Sequence, residues 1–431
     1  MEAGTAHFTS PLAESLAADV LDRFVRYARV DTQSARDRTG SPSTPGQLDL
    51  SRMLVDELVA LGASDVELDE NGYVTATLPS TVGSGAPVVG LIAHVDTSPD
   101  APGAGVEPIV HRGYEGGVIS LPRDGTVLDP ASMRGLSGRA GHDIVTSSGD
   151  TLLGADDKAG VAEIMAALAH LAAHPDLPRP TLRVCFTPDE EVGAGAKLFD
   201  IERFGAQAAY TIDGSDLGEL QDETFSAKEA VVTIDGVDVH PGHATGKLVN
   251  AARLAGRLLA ALPSDRLTPE TTSGREGFIH VYEVEATAAR AVVRAILRDF
   301  DDAALDGHVE LLRRVASEVV GAEPRARLSI EVADQYPNMR RYLEPYPEIM
   351  AFAERAIRAE GIEPIHEGAR GGTDGSILSE RGLPTPNVFA GGHEFHSVRE
   401  WVSVQDMAAA TAVIVRLAAA WAEAEGSEKQ Q

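Results

Sequence analysis

Five short clusters of acids and histidines in this 431-residue chain carry the residue types that hold metals and move protons. The apolar run Val88 to Ala93 ends in His94-Val95-Asp96. Strand side chains alternate, so His94 and Asp96 project to the same side, one as a ligand and the other as the carboxylate that accepts its second imidazole N–H or orients a water. Gly154-Ala155-Asp156-Asp157-Lys158-Ala159-Gly160 lies directly before an amphipathic helix beginning near Val161. Acids there suit the helix dipole, and the glycines permit close approach to a bound ion. Leu182 to Phe186 runs into Thr187-Pro188-Asp189-Glu190-Glu191-Val192-Gly193, three consecutive carboxylates that repel one another unless something positive stands between them. One Glu binding a metal while its neighbour acts as base would give each a task. Ala208 to Ile212 ends at Asp213-Gly214, and Val388-Phe389 leads through Ala390-Gly391-Gly392 to His393-Glu394-Phe395-His396.

Singly, each cluster has a structural alternative: a chance H-x-D triplet, a helix cap, a solvated turn. Together they occupy equivalent topological positions, because each follows a strand pattern or opens a helix pattern, and the crevice outside strand carboxyl ends is where open α/β sheets bind ligands. Imidazole and carboxylate without thiolate favour zinc, manganese or cobalt in a catalytic site. There are enough ligands for two ions with one carboxylate bridging them, an arrangement that generates a hydroxide near neutral pH and polarises a carbonyl.

The elements that must position these groups read as an α/β domain. Leu16, Val20, Phe24 and Tyr27 recur at helical spacing, as do Leu54, Leu58 and Leu61, and Val161, Ile164, Met165, Leu168 and Leu171. Val66 to Leu68 and Tyr73 to Leu78 flank Asn71-Gly72, which predicts a hairpin with a two-residue turn. Buried strands are expected at Val88 to Ala93, Leu182 to Phe186, Ala208 to Ile212 and Asn387 to Phe389, in a mixed sheet covered by helices. From about Ala227 to Ala333 the order changes to strand, helix, strand, strand, helix, strand, that of an inserted ferredoxin-like α+β unit. Asn250 and Asp301 or Asp302 are its expected helix caps. The reading divides the chain into residues 1–226, 227–335 and 336–431, the first and last forming one catalytic domain around the insertion. Thr39 to Gly46 and Thr81 to Pro87 read as loops and Gly426 to Gln431 as a frayed end.

Charge and composition exclude several classes. With 37 Lys and Arg against 66 Asp and Glu, the formal charge is −29, which argues against nucleic acid or an anionic membrane as partner. Cys185 is the single cysteine, so no disulfide framework exists within the chain and a reducing compartment fits. Met1-Glu2-Ala3-Gly4 lacks the basic and apolar regions of a signal peptide, and no uninterrupted apolar run approaches the roughly 18 residues of a membrane span. A cytoplasmic setting is expected.

The stretches Leu91 to Asp100 (LIAHVDTSPD), Thr151 to Gly160 (TLLGADDKAG), Pro188 to Gly193, Tyr210 to Gly214, His240-Pro241-Gly242, Arg370 to Gly375 and Ala390 to His396 closely resemble the tripeptide-aminopeptidase branch of the dinuclear-zinc aminoacylase and carboxypeptidase metallopeptidases. The match runs in one order from about Leu16 to Ala420. The resemblance implies a zinc-exopeptidase fold with an inserted lid domain, and two Zn²⁺ per subunit with Co²⁺ or Mn²⁺ as substitutes. It implies that His94 and Asp213 hold one ion, Glu191 and His396 the other, and that Asp156 bridges them. Asp96 would orient His94, and Glu190 would be the base that takes a proton from the attacking water and returns it to the leaving amine. His240 would donate to the tetrahedral oxyanion, with a turn role before Pro241-Gly242 as its alternative, and Arg370 would pair with the peptide's C-terminal carboxylate, with a structural ion pair as its alternative. His393 and His396 compete for one ligand position, and the Gly-Gly spacing favours His396. The expected activity is removal of the N-terminal residue from tripeptides. A dipeptidase or N-acyl-amino-acid deacylase on the same centre and a non-catalytic peptide-binding protein are the rivals. Pairing of two copies through the inserted domain is a further implication.

Overall fold

The four strands that end in the acid and histidine clusters lie side by side and run in one direction. The computed structural model describes residues 8–37, 40–83 and 85–428. Within it an eight-stranded sheet takes the spatial order Ser64–Leu68, Val74–Leu78, Thr181–Thr187, Val88–His94, Ala208–Gly214, Asn387–Phe389, Glu219–Gln221, Ile365–His366. The third to sixth strands pair parallel throughout, so their carboxyl ends open on one edge. Antiparallel pairings on either side make the sheet mixed.

Both faces are covered, as strands with near-continuous apolar runs require. Leu91, Ala93, Val184, Phe186, Tyr210 and Ile212 enter a core shared with the helices Pro11–Ala28, Ala155–Ala173 and Val404–Glu428, through Phe24, Ile164, Met165, Ile414 and Leu417. The strand period of two sends Ile92, Cys185 and Ala209 to a second core with Phe199, Phe204, Leu378 and Leu383. Each fully buried large side chain contributes about 1.5–3 kcal/mol relative to exposure, so these faces fix strand order and register. By length and composition Val404–Glu423 could cross a membrane, but 89% of that stretch is buried inside the protein. That helix also carries past Gly426 to Glu428, where composition suggests a frayed end; residues 429–431, and Met1 to Gly4 at the other terminus, lie outside the described residues.

The hairpin forms with a wider turn than Asn71-Gly72 predicts. Pairing closes at Leu68 with Val74, and Asp69 closes the connection by accepting the Asn71 and Tyr73 N–H groups on its Oδ1. A larger departure lies between Val88–His94 and Ala155–Ala173. Ile109–His111 and Ile144–Thr146 join Trp401–Ser403 and Gly392–His393 in a four-stranded antiparallel sheet, over a small core of Tyr114, Leu121, Leu128, Leu136 and Trp401. Strands of two or three residues leave no periodicity to detect in sequence.

A second compact unit comprises Glu223–Arg341 and Gly368–Ser376. Its strands Ser226–Asp235, Phe278–Ala286, Arg290–Asp299 and Arg327–Tyr336 pair antiparallel with Phe278–Ala286 at one edge and Arg327–Tyr336 at the other. With the helices Ala251–Ala261 and Asp302–Gly321 this is a split β-α-β arrangement. Asn250 and Asp301 cap those helices, accepting from the Arg253 and Ala304 N–H groups. Ala230, Val232, Val293 and Leu297 on the strands bury against Leu254, Leu258, Leu305 and Leu312 on the helices.

Candidate metal centre

All five ligand candidates meet within the first unit, at the carboxyl edge of the parallel strands. His94 ends one strand, Asp213 nearly ends the next, and Glu191 lies on the turn Glu190–Val192 just beyond Thr187. Asp156 opens the helix Ala155–Ala173, whose regular part starts only after the non-helical Asp156 and Asp157. His396 follows Asn387–Phe389 on a loop where its own φ is +59°. Two overlapping groups result, His94 with Asp156 and Asp213, and Asp156 with Glu191 and His396, the donor atoms in each lying within 4.8 Å of one another. Asp156 Oδ1 is 2.9 Å from His94 Nε2 while its Oδ2 is 3.3 Å from His396 Nε2. One carboxylate thus turns an oxygen toward each group. His94 Nε2 is 3.7 Å from Asp213, and His396 Nε2 is 2.9 Å from Glu191.

The surrounding side chains orient these donors. Asp96 is fully buried and does two things: its backbone carbonyl, 3.1 Å away, and its carboxylate, 3.3 Å away, face His94 Nδ1, and the same carboxylate accepts the Glu190 and Glu191 N–H groups. A single residue therefore fixes the tautomer of one ligand candidate and the turn carrying another. Asp189, first of the three acids, is buried with φ of +59° and accepts from Ser43 N and Gln47 Nε2, so it holds the turn rather than joining the cluster. Gly160 allows close packing: a Cβ there would sit 1.9 Å from the Ile212 carbonyl oxygen, so the approach it permits is of helix to strand, not of backbone to an ion. Sequence reasoning missed three supports. Asp100 Oδ2 lies 3.5 Å from His396 Nδ1 while its Oδ1 pairs with Arg36; Asp157 accepts the His94 and Gly160 N–H groups; Glu400 binds the loop before Asp156. A carboxylate four residues after His396 is the signal that could have drawn attention to the last.

The charge balance of the cluster bears on what it could hold. Burial pulls His94 and His396 down, yet the carboxylates around them outweigh it, leaving His94 well above the usual histidine range and His396 pushed up to about 11. Burial and the Asp156 charge push Glu191 up to about 8, and burial raises Asp213 to about 6. Glu191 Oε1 is buried with no hydrogen-bond partner among the described residues. Crowded carboxylates that must take protons, an orphaned carboxylate oxygen and two imidazoles without thiolate fit a pair of divalent cations. A cation and a proton compete for the same lone pairs. Metal binding at pH 7 is therefore expected to expel protons from His94, His396 and Glu191, and affinity should rise with pH. Calorimetric titration of chelator-stripped protein with Co²⁺ in buffers of different ionisation enthalpy checks this; an affinity flat between pH 6 and 8 would contradict it.

A family model described as peptidase family M20/M25/M40 matches residues 152–420. The chain belongs to this peptidase family. A Peptidase T of Bacillus subtilis is 46% identical over 401 residues, 93% of this chain and 98% of that protein. Among solved structures, an aminopeptidase from Bacillus cereus aligns with a TM-score of 0.72 at 22% identity, over 94% of this chain and 99% of that one. A tripeptidase from Staphylococcus aureus aligns at 0.73 and 20%, again over 94% and 99%.

In this M20 peptidase His393 stands in neither ligand group. It pairs in register with Trp401 and its ring stacks on that indole at 4.2 Å, with burial pulling it down to about 4. The neutral ring is a packing element of the small sheet. His240 and Arg370 belong to the second unit. His240 is exposed and its Nδ1 accepts the Gly242 N–H. Arg370 donates to Thr272 Oγ1 and the Gly274 carbonyl, with its guanidinium against the Phe225 and Phe278 rings, so partners within its own unit already hold it.

Proposed function

We propose that this chain is a two-metal aminopeptidase that releases the N-terminal residue of tripeptides. The observation that carries the reading is the Asp156 carboxylate with one oxygen toward each ligand group, beside a turn that presents Glu190 next to the ligand candidate Glu191. His94, Asp156 and Asp213 would hold one cation, and Asp156, Glu191 and His396 the other, with zinc the first choice for this donor set and cobalt or manganese as substitutes. When bound, such ions lower the pKa of water and polarise a peptide carbonyl. Glu190 takes a proton from the water that attacks the carbonyl carbon and returns it to the amine as the C–N bond breaks. Asp96 keeps Glu190 in place through its backbone N–H, 2.9 Å from Asp96 Oδ1. His240 is the proposed oxyanion donor: with Nδ1 occupied as an acceptor of the Gly242 N–H, Nε2 is the ring nitrogen left to donate. For Arg370, its partners in the second unit favour the structural role over carboxylate recognition.

Support for a cytoplasmic setting is the acid excess and the single, buried Cys185. Pairing through the second unit is supported by the edge strand Phe278–Ala286, where Tyr282 and Val284 are exposed. The deciding experiment is product identification on Ala-Ala-Ala, Ala-Ala, N-acetylated Ala-Ala-Ala and N-acetylalanine, before and after chelation. Free alanine plus Ala-Ala, from the unblocked tripeptide only and abolished by the chelator, is the expected result. Preferred cleavage of the dipeptide or the N-acyl amino acid would move the assignment to those activities, and turnover surviving full metal removal would sink it.

A further inference from the structure

Glu400 is almost completely buried, four residues beyond His396 and next to the strand Trp401–Ser403. Its Oε2 accepts the N–H groups of Leu153 and Gly154 at 2.7 and 2.8 Å, and its Oε1 accepts the N–H of Asp156 at 3.0 Å. All three donors belong to the four residues that end at Asp156. Gly154, in the left-handed region at φ +83°, lets the backbone turn these N–H groups inward. Lys158, also buried, donates to the Val30 carbonyl.

The other end of Glu400 is fixed as firmly. Its own N–H donates to the Ser397 carbonyl, and Ser397 Oγ bridges from the Glu394 carbonyl to the Arg399 N–H. These bonds close the loop that holds Glu394 and His396 in left-handed conformations. The one side chain therefore joins the loop bearing His396 to the loop bearing Asp156, two ligand candidates that stand 240 residues apart in sequence. Three backbone N–H groups converging on one side chain leave its position little freedom, and a ligand set tolerates little displacement.

We propose that Glu400 is a positioning residue that sets the Asp156 backbone relative to His396 and so determines whether Asp156 can serve both ligand groups at once. This rests on the two-metal reading above and adds to it a determinant that touches neither metal nor substrate. Glu400→Gln keeps the shape but must turn an NH₂ toward one of the N–H groups it now accepts. Glu400→Asp keeps the charge but is one methylene too short to reach both sides. Glu163→Gln is the control: Glu163 is a buried carboxylate on the same helix as Asp156, with no hydrogen-bond partner for either oxygen among the described residues.

The test uses full-length, chelator-stripped protein and Co²⁺ alone, followed by its visible absorption bands, with amide hydrogen exchange measured on the metal-free form. Both Glu400 variants are expected to bind Co²⁺ about 10- to 100-fold more weakly than the parent, with altered bands and faster exchange at Leu153, Gly154 or Asp156. Glu163→Gln should match the parent in affinity and bands. Parent-like affinity and exchange in Glu400→Gln would overturn the proposal, as would equal weakening in Glu163→Gln, which would make the effect one of general stability. If neither Glu400 variant folds, the residue is a global stability element and the local role is wrong. A parent protein that binds no Co²⁺ fails the two-metal reading instead, and the two failures are separable.

Discussion

Glu190→Gln is expected to leave a protein that holds its metals and barely turns over. Of the three consecutive acids, Asp189 is committed to Ser43 and Gln47, and Glu191 Oε2 is 2.9 Å from His396. Glu190 shares the turn and the Asp96 contact but is in neither ligand group, which is the position a base needs. Glutamine preserves size and the backbone N–H to Asp96, and it cannot accept a proton near neutral pH. The expected loss in kcat is about 10²–10⁴-fold, the usual contribution of a positioned acid–base group, or about 2.7–5.5 kcal/mol of barrier. KM should move little, because the removed group acts on the proton in flight rather than on bound peptide. Steady-state kinetics with metal analysis of the same sample checks both parts. Loss of metal together with activity would show that Glu190 and Glu191 have been assigned the wrong way round.

The candidate site was legible because its ligand candidates follow a local rule. His94 and Asp213 close apolar strands while Glu191 and His396 lie in the segments that follow such strands, and parallel strands deliver their carboxyl ends to one edge whatever their order in the sheet. Sequence position therefore stood in for spatial position. The supports obey no such rule. Glu400 meets Asp156 across 244 residues and Asp189 meets Gln47 across 142, and a local pattern encodes neither contact. The Gly-Gly spacing separated His396 from His393, but only the pairing of His393 with Trp401 says why the second histidine is needed. Likewise Asn71-Gly72 located a turn without its length, since Asp69 sets the closure through its side chain.

Asp156→Asn should be the most damaging single change, because it strikes both ligand groups. Asp213 serves one group and Glu191 the other, so replacing either by its amide is expected to remove one metal and leave the second. Asp156 offers Oδ1 to the His94 side and Oδ2 to the His396 side. Asparagine keeps a single oxygen and must turn an NH₂, which has no lone pair for a cation, toward one group. The metal content after dialysis is expected to fall further than in Asp213→Asn or Glu191→Gln, and kcat/KM by more than the about 10⁴-fold upper end set for the base, since water activation and carbonyl polarisation are lost together. Stability gives an independent readout. A ligand bound at 1,000 times its Kd stabilises the folded state by about 4.1 kcal/mol, so the parent should melt lower after chelation. The variant should melt at the same temperature with and without chelator. Full two-metal occupancy in Asp156→Asn, with a chelator-sensitive melt, would mean that its carboxylate does not bridge, and the two groups of donors would then have to be read as separate sites.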